Sequence, residues 1–131
     1  MRTFLQKKLW RDKMIDLVEQ NHGSKVNWRI LDDQEFNQQI RIKLLEETEE
    51  IVAAPSRNEL IEELADLYEV IDALISANSI TKEEISTEQT RKRNERGGFM
   101  GRKFVETAQH HNGSHPEQYC LADPQKYPEV I

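Results

Sequence analysis

Four acidic residues, Glu47, Glu50, Glu63 and Asp66, fall where a helical chain would carry them in or beside an apolar stripe, a place where an ionised carboxylate is costly unless a cation offsets it. Helical residues follow one another at about 100°. On that rule Phe36, Ile40, Leu44 and Ile51 make one face, with Glu47 inside it and Glu50 at its edge, while Glu46 and Glu49 point further toward solvent. A second face is made by Leu60, Leu64, Leu67, Ile71 and Leu74, widened on one flank by Val70. Glu63 falls on that flank and Asp66 at its margin, beside Glu59; Glu62 and Glu69 lie farther out. Between Glu46 and Asp72 there are ten acids and one base, Arg57, so the stretch brings almost no cation of its own. Facing each other across a hairpin, the two inner pairs build a cage of oxygen donors. Hard divalent cations prefer such a cage, and magnesium usually keeps some waters and shares further positions with substrate phosphates. A di-iron bundle would need Glu-x-x-His pairs, and no histidine occurs between His22 and His110.

The elements that must position these acids are legible from local signals. Asp32 or Asp33 caps a helix running from about Gln34 to Val52, closed by Ala53-Ala54-Pro55 because a residue before proline avoids helical angles. Ser56-Arg57-Asn58-Glu59 reads as a capping box opening a second helix to about Ser76, and Thr81-Lys82-Glu83-Glu84 as another, opening a third that stops at Gly97-Gly98. A shorter helix is expected around Asp12 to Gln20, ended by Asn21-His22-Gly23, and Val26 to Leu31 reads as a short strand or an extended connector. From His110 the composition is that of a loop, so residues 107–131 are expected to form an irregular tail behind a domain spanning 1–106. The fold class that follows is all-α: a helical bundle with two long antiparallel helices, short N-terminal elements and that tail.

Composition narrows the function. Twenty-four acids against eighteen Lys and Arg leave a net charge of −6, which argues against a nucleic-acid polymer as partner, since phosphate backbones are held by positive surfaces. Nothing approaches the ~20 apolar residues of a membrane span, and the charged start, Met1 to Lys8, has no apolar run behind it as a secretory signal would. A single cysteine, Cys120, excludes an internal disulfide and fits a reducing cytoplasm; it reads as inert. His110, His111 and His115 read as loop residues without a ligand role, because Asn112-Gly113 breaks any helix that would align them. Trp10, Trp28 and Phe99 read first as packing residues, with stacking on a base as the alternative. From Arg91 to Lys103 six bases stand against one acid, Glu95. Of these Lys92, Arg93 and Arg96 are candidate phosphate contacts, since they precede Gly97-Gly98, whose amides would also approach an anion.

The segments Lys43 to Glu50 and Glu63-Leu64-Ala65-Asp66 resemble the paired Glu-x-x-Glu and Glu-x-x-Asp signature of the MazG-like all-α nucleoside triphosphate pyrophosphohydrolases. Leu9 to Lys13, Leu31-Asp32-Asp33, Leu64 to Leu74 and Arg96-Gly97-Gly98-Phe99 are similar, more closely, to the phosphoribosyl-ATP pyrophosphohydrolase-like subgroup; the likeness covers roughly residues 5 to 106. It departs at Leu9-Trp10, where the subgroup carries Leu-Val, and the tail has no counterpart. The resemblance implies cleavage between the α and β phosphates of a nucleotide, with Glu47, Glu50, Glu63 and Asp66 holding magnesium (or manganese); of these, Glu50 is expected to accept the proton of the attacking water, because its place at the stripe's edge reaches both metal and solvent. It also implies phosphate contacts by Arg11 and Lys13, and a homodimer or higher homo-oligomer. Phosphoribosyl-ATP hydrolysis in histidine biosynthesis is the alternative enzymatic reading, and a catalytically silent nucleotide-sensing or assembly protein the alternative of another class.

Overall fold

The computed structural model describes all 131 residues. The chain is all-helical, with α1 at Met14–His22, α2 at Asp33–Ala53, α3 at Arg57–Ala77, α4 at Lys82–Arg96 and α5 at His115–Leu121. No helix is long and apolar enough to cross a membrane. Residues 1–92 and 93–131 form two compact units.

In the first unit each long helix begins at a side chain that satisfies an otherwise orphaned backbone donor. Asp32 accepts from the Glu35 amide at 2.8 Å, and Ser56 from the Glu59 amide at 3.2 Å. Arg29 then grips Glu35 with both guanidinium nitrogens, at 2.6 and 3.3 Å, fastening the preceding connector to the first turn of α2. At α4 the exchange is reciprocal: Thr81 Oγ1 accepts from the Glu84 amide while Glu84 accepts from the Thr81 amide. Ala54 is extended ahead of Pro55, which ends α2. Gly23 takes a left-handed conformation, φ 65°, and ends α1, which needs a residue without a Cβ penalty there. Val26 to Leu31 holds neither helix nor strand, so of its two readings the connector is the observed one.

α2 and α3 pack against each other. Ile40 of α2 and Val70 of α3 are buried, and the start of α2 is tied to the end of α3 by a reciprocal amide pair. Asn37 donates to Asn78 at 3.0 Å and Asn78 returns a bond at 3.2 Å, with a further one to the Leu74 carbonyl. The apolar surface of α3 extends past the Leu60, Leu64, Leu67, Ile71, Leu74 face into an overlapping stripe that shares Leu64 and Ile71 with it. Ile61, Leu64, Tyr68, Ile71 and Ile75 recur at alternating steps of three and four, the spacing of a coiled-coil seam. Ile61, Leu64 and Tyr68 are exposed, Tyr68 by 70%.

The second unit departs from the expected irregular tail. Ser114 accepts from the Glu117 amide and Glu117 from the Gly113 amide, and Pro116 sits in the first turn of α5. The segment Ser114-His115-Pro116-Glu117 has the sequence of a capping box, with Glu117 reaching back one residue further, to Gly113, and its neighbours' loop-like composition conceals it. After α5 the chain turns back, and Tyr127 sets its ring 5.6 Å from that of Tyr119.

Candidate metal centre

Glu47 lies seven residues, two turns, after the buried Ile40, so α2 carries both into its packed face. It is 5% exposed, the only charged residue in the buried set. From the facing helix comes Glu63, and from the next turn of α2 comes Glu50, which is exposed. One carboxylate oxygen from each of the three lies within 4.8 Å of the others. The Oε2 atoms of Glu47 and Glu63 are enclosed with no hydrogen-bond donor. Enclosed acceptors of this kind are unfavourable as they stand, and a cation or a proton must satisfy them.

In the metal-free protein the surroundings of both carboxyls favour a proton. The Glu63 carboxyl is raised from 4.5 to about 7, chiefly by its hydrogen bond to Glu50, then by burial and by repulsion from Glu50, Asp66 and Glu47. Burial also pushes Glu47 up, with Glu50 and Asp66 adding repulsion and Lys43 opposing them. Because the folded chain keeps a proton on Glu63 that the unfolded chain releases, this group favours folding at pH below about 4.5, and its contribution is lost as pH rises through about 7. The metal-free protein is therefore expected to melt at falling temperature between about pH 5 and about pH 8. Millimolar magnesium should take the proton's place and flatten the slope, as should Glu63→Gln; a metal-free melting curve already flat across that range would exclude the shared proton.

The expectation that the acids lack nearby cations is corrected by the fold. Lys43, one turn before Glu47, stands 3.6 Å from it and 3.3 Å from Glu46, and Lys8 reaches Glu46 at 3.2 Å. Glu46, expected to face solvent, is half-buried. Burial pushes its carboxyl up, but Lys8 and Lys43 outweigh this and hold it below its ordinary value. Asp72 pairs with Lys82 at 3.2 Å. Asp66 is set apart from the trio: Arg11 holds its carboxylate at 2.6 Å and reaches Glu69 at 3.9 Å. The cations of Lys8 and Arg11 come from a segment far away in sequence, and only Lys43, at the i−4 position from Glu47, was within reach of helical spacing.

The other candidates are dispersed along the chain. Lys13 is exposed at the N-cap of α1, with its carbonyl accepting from the Leu17 amide. Lys92 is exposed on α4 beside Glu88 and Gln89, and Arg93 and Arg96 occupy the last turn of that helix. Gly97 takes φ 81° and donates its amide to the Arg93 carbonyl at 2.8 Å, so that amide ends the helix and is not free for an anion. Comparison with protein-family models, with curated proteins and with solved structures finds no match to this chain.

Proposed function

We propose that this chain is a magnesium-dependent nucleotide pyrophosphohydrolase, which uses water to cleave the α–β phosphate bond of a nucleoside triphosphate and releases a monophosphate and pyrophosphate. The observation that carries the reading is the meeting of Glu47, Glu50 and Glu63 around enclosed oxygens that have no donor. An all-oxygen donor set with unsatisfied acceptors fits a hard divalent ion. The likeness to the MazG-like enzymes in the Glu46 to Glu50 and Glu63 to Asp66 segments points the same way. Glu47, Glu50, Glu63 and Asp66 would hold magnesium, or manganese in its place. When bound, the ion neutralises the triphosphate, lowers the pKa of water and offsets the charge on departing pyrophosphate.

The chain's own groups supply the rest. Glu50, at once in the cluster and open to solvent, takes the proton of the water that attacks the α phosphorus. Arg11 and Lys13 supply positive charge for the phosphates, Arg11 from its position on Asp66. We further propose that α2 and α3 run antiparallel and that a second copy completes the bundle over the α3 seam. A chain of 131 residues in which Ile40 and Val70 are the only buried apolar side chains has not closed its own core. Removal of noncanonical or excess nucleotides is the cellular role that suits such an activity.

Product identification tests the reaction. The protein is incubated with magnesium, a panel of nucleoside triphosphates and phosphoribosyl-ATP. Monophosphate with pyrophosphate is expected. Diphosphate with orthophosphate would sink the reading, and binding without turnover, unchanged by Glu50→Gln, would replace it with a silent nucleotide-binding protein.

A further inference from the structure

A cavity of ≈ 310 Å³ opens beside the acidic cluster, bounded by the N-terminal segment and α1 on one side and by α2 and α3 on the other. Its lining divides by chemistry. Leu9, Trp10, Met14 and Val18 give an apolar wall; Lys8, Arg11 and Lys43 bring cations; Glu47 and Asp66 bring carboxylates. We infer that this cavity is the nucleoside slot of the proposed site and that the Trp10 indole is the surface on which the planar base stacks. The inference rests on the reading of the site as a nucleotide site, and it adds where the base goes and what holds it.

Each part of a magnesium nucleotide meets a matching wall. A base needs a flat apolar surface, a polyphosphate needs cations, and its metal needs carboxylates; in this cavity the three lie side by side. The volume is near the lower end of the ~300–1,000 Å³ found for small-molecule sites, enough for one nucleoside and too little for a longer nucleic acid. Trp10 is half-buried and lines the cavity, where its indole is the one aromatic surface among the lining residues. The next residue, Arg11, is the one that reaches Asp66 at 2.6 Å. Consecutive residues of one segment thus mark the base end and the phosphate end of the slot.

The test uses the full chain with Trp28→Phe, a background in which Trp10 is the sole tryptophan; Trp28 is 59% exposed. With magnesium present, two probes are titrated: a nucleoside triphosphate with a non-hydrolysable α,β-methylene bridge, in purine and pyrimidine forms, and inorganic tripolyphosphate. The nucleotide is expected to quench the Trp10 fluorescence. Read by titration calorimetry, since these variants hold no tryptophan, Trp10→Ala should weaken nucleotide binding by about tenfold or more and leave tripolyphosphate affinity nearly unchanged, with Trp10→Phe restoring most of the loss. The unchanged tripolyphosphate affinity also reports that the variant is folded. Nucleotide affinity insensitive to Trp10→Ala, or an equal fall for both probes in Trp10→Ala and Trp10→Phe, overturns the inference and leaves the hydrolase reading standing. If neither probe binds to the Trp28→Phe protein, the site itself is not a nucleotide site and both fall.

Discussion

Replacing Glu47 by glutamine is expected to lower kcat/KM by about a hundredfold or more and, in the same protein without metal, to raise the melting temperature. The two effects have one origin. Glu47 is 5% exposed, its Oε2 has no donor, and Glu50 and Asp66 repel it. An amide of the same shape carries no charge to desolvate and supplies the donor that the neighbouring carboxylates lack. Lys43 loses one partner at 3.6 Å but keeps Glu46 at 3.3 Å, so little is left unpaired. With magnesium the balance reverses, because a ligand of the ion has gone. Activity assays and melting curves with and without magnesium read both halves. Full activity in Glu47→Gln would end the site assignment, whereas lower metal-free stability would show that Glu47 serves chiefly as the counter-ion of Lys43.

Leu64→Glu is expected to have the largest effect on assembly. Leu64 is 38% exposed and is the second residue of the Ile61, Leu64, Tyr68, Ile71, Ile75 stripe, of which Ile61, Leu64 and Tyr68 are exposed and Ile71 and Ile75 half-buried. A stripe of this period is stable when a second helix interdigitates with it. Light scattering of the parent protein at micromolar concentration should give a multiple of its 15.4 kDa mass. The variant should fall to the single-chain mass and lose much of its helicity, because a charge inside the seam has no partner. Ser76→Glu, on the exposed back of the same helix, should retain the parent mass. A parent protein that is monomeric and fully helical would refute the second copy.

The parts of this structure that the sequence announces are those decided within one turn of a helix. Asp32, Ser56 and Thr81 each satisfy a donor three residues ahead, a local bargain independent of everything distant, and the helices begin beside them. Ser114 obeys the same rule, and only the loop-like residues around it kept α5 from notice. Helical spacing likewise placed Glu47 in the packed face. It ranked Glu46 and Glu50 in the wrong order of depth, because exposure also depends on what else covers a helix. Lys8 lies over Glu46, and nothing in the α2 sequence carries that information. For the same reason Arg11 was readable only as a phosphate contact suggested by likeness, while its bond to Asp66 spans 55 positions of chain. The cavity beside Trp10 exists only once those distant segments have met.

The paired amides of Asn37 and Asn78 also bear on slippage. Two helices that meet through Leu, Ile and Val can slide along each other by a turn and still match greasy surface to greasy surface. The amides cannot, since each supplies a donor and an acceptor that the other must answer at one setting. Ten residues separate Asn37 from Glu47, about 15 Å of helix. The pair therefore works as a vernier: it holds α2 at one setting along α3, and that setting decides whether Glu50 meets Glu63 or lies one turn away from it.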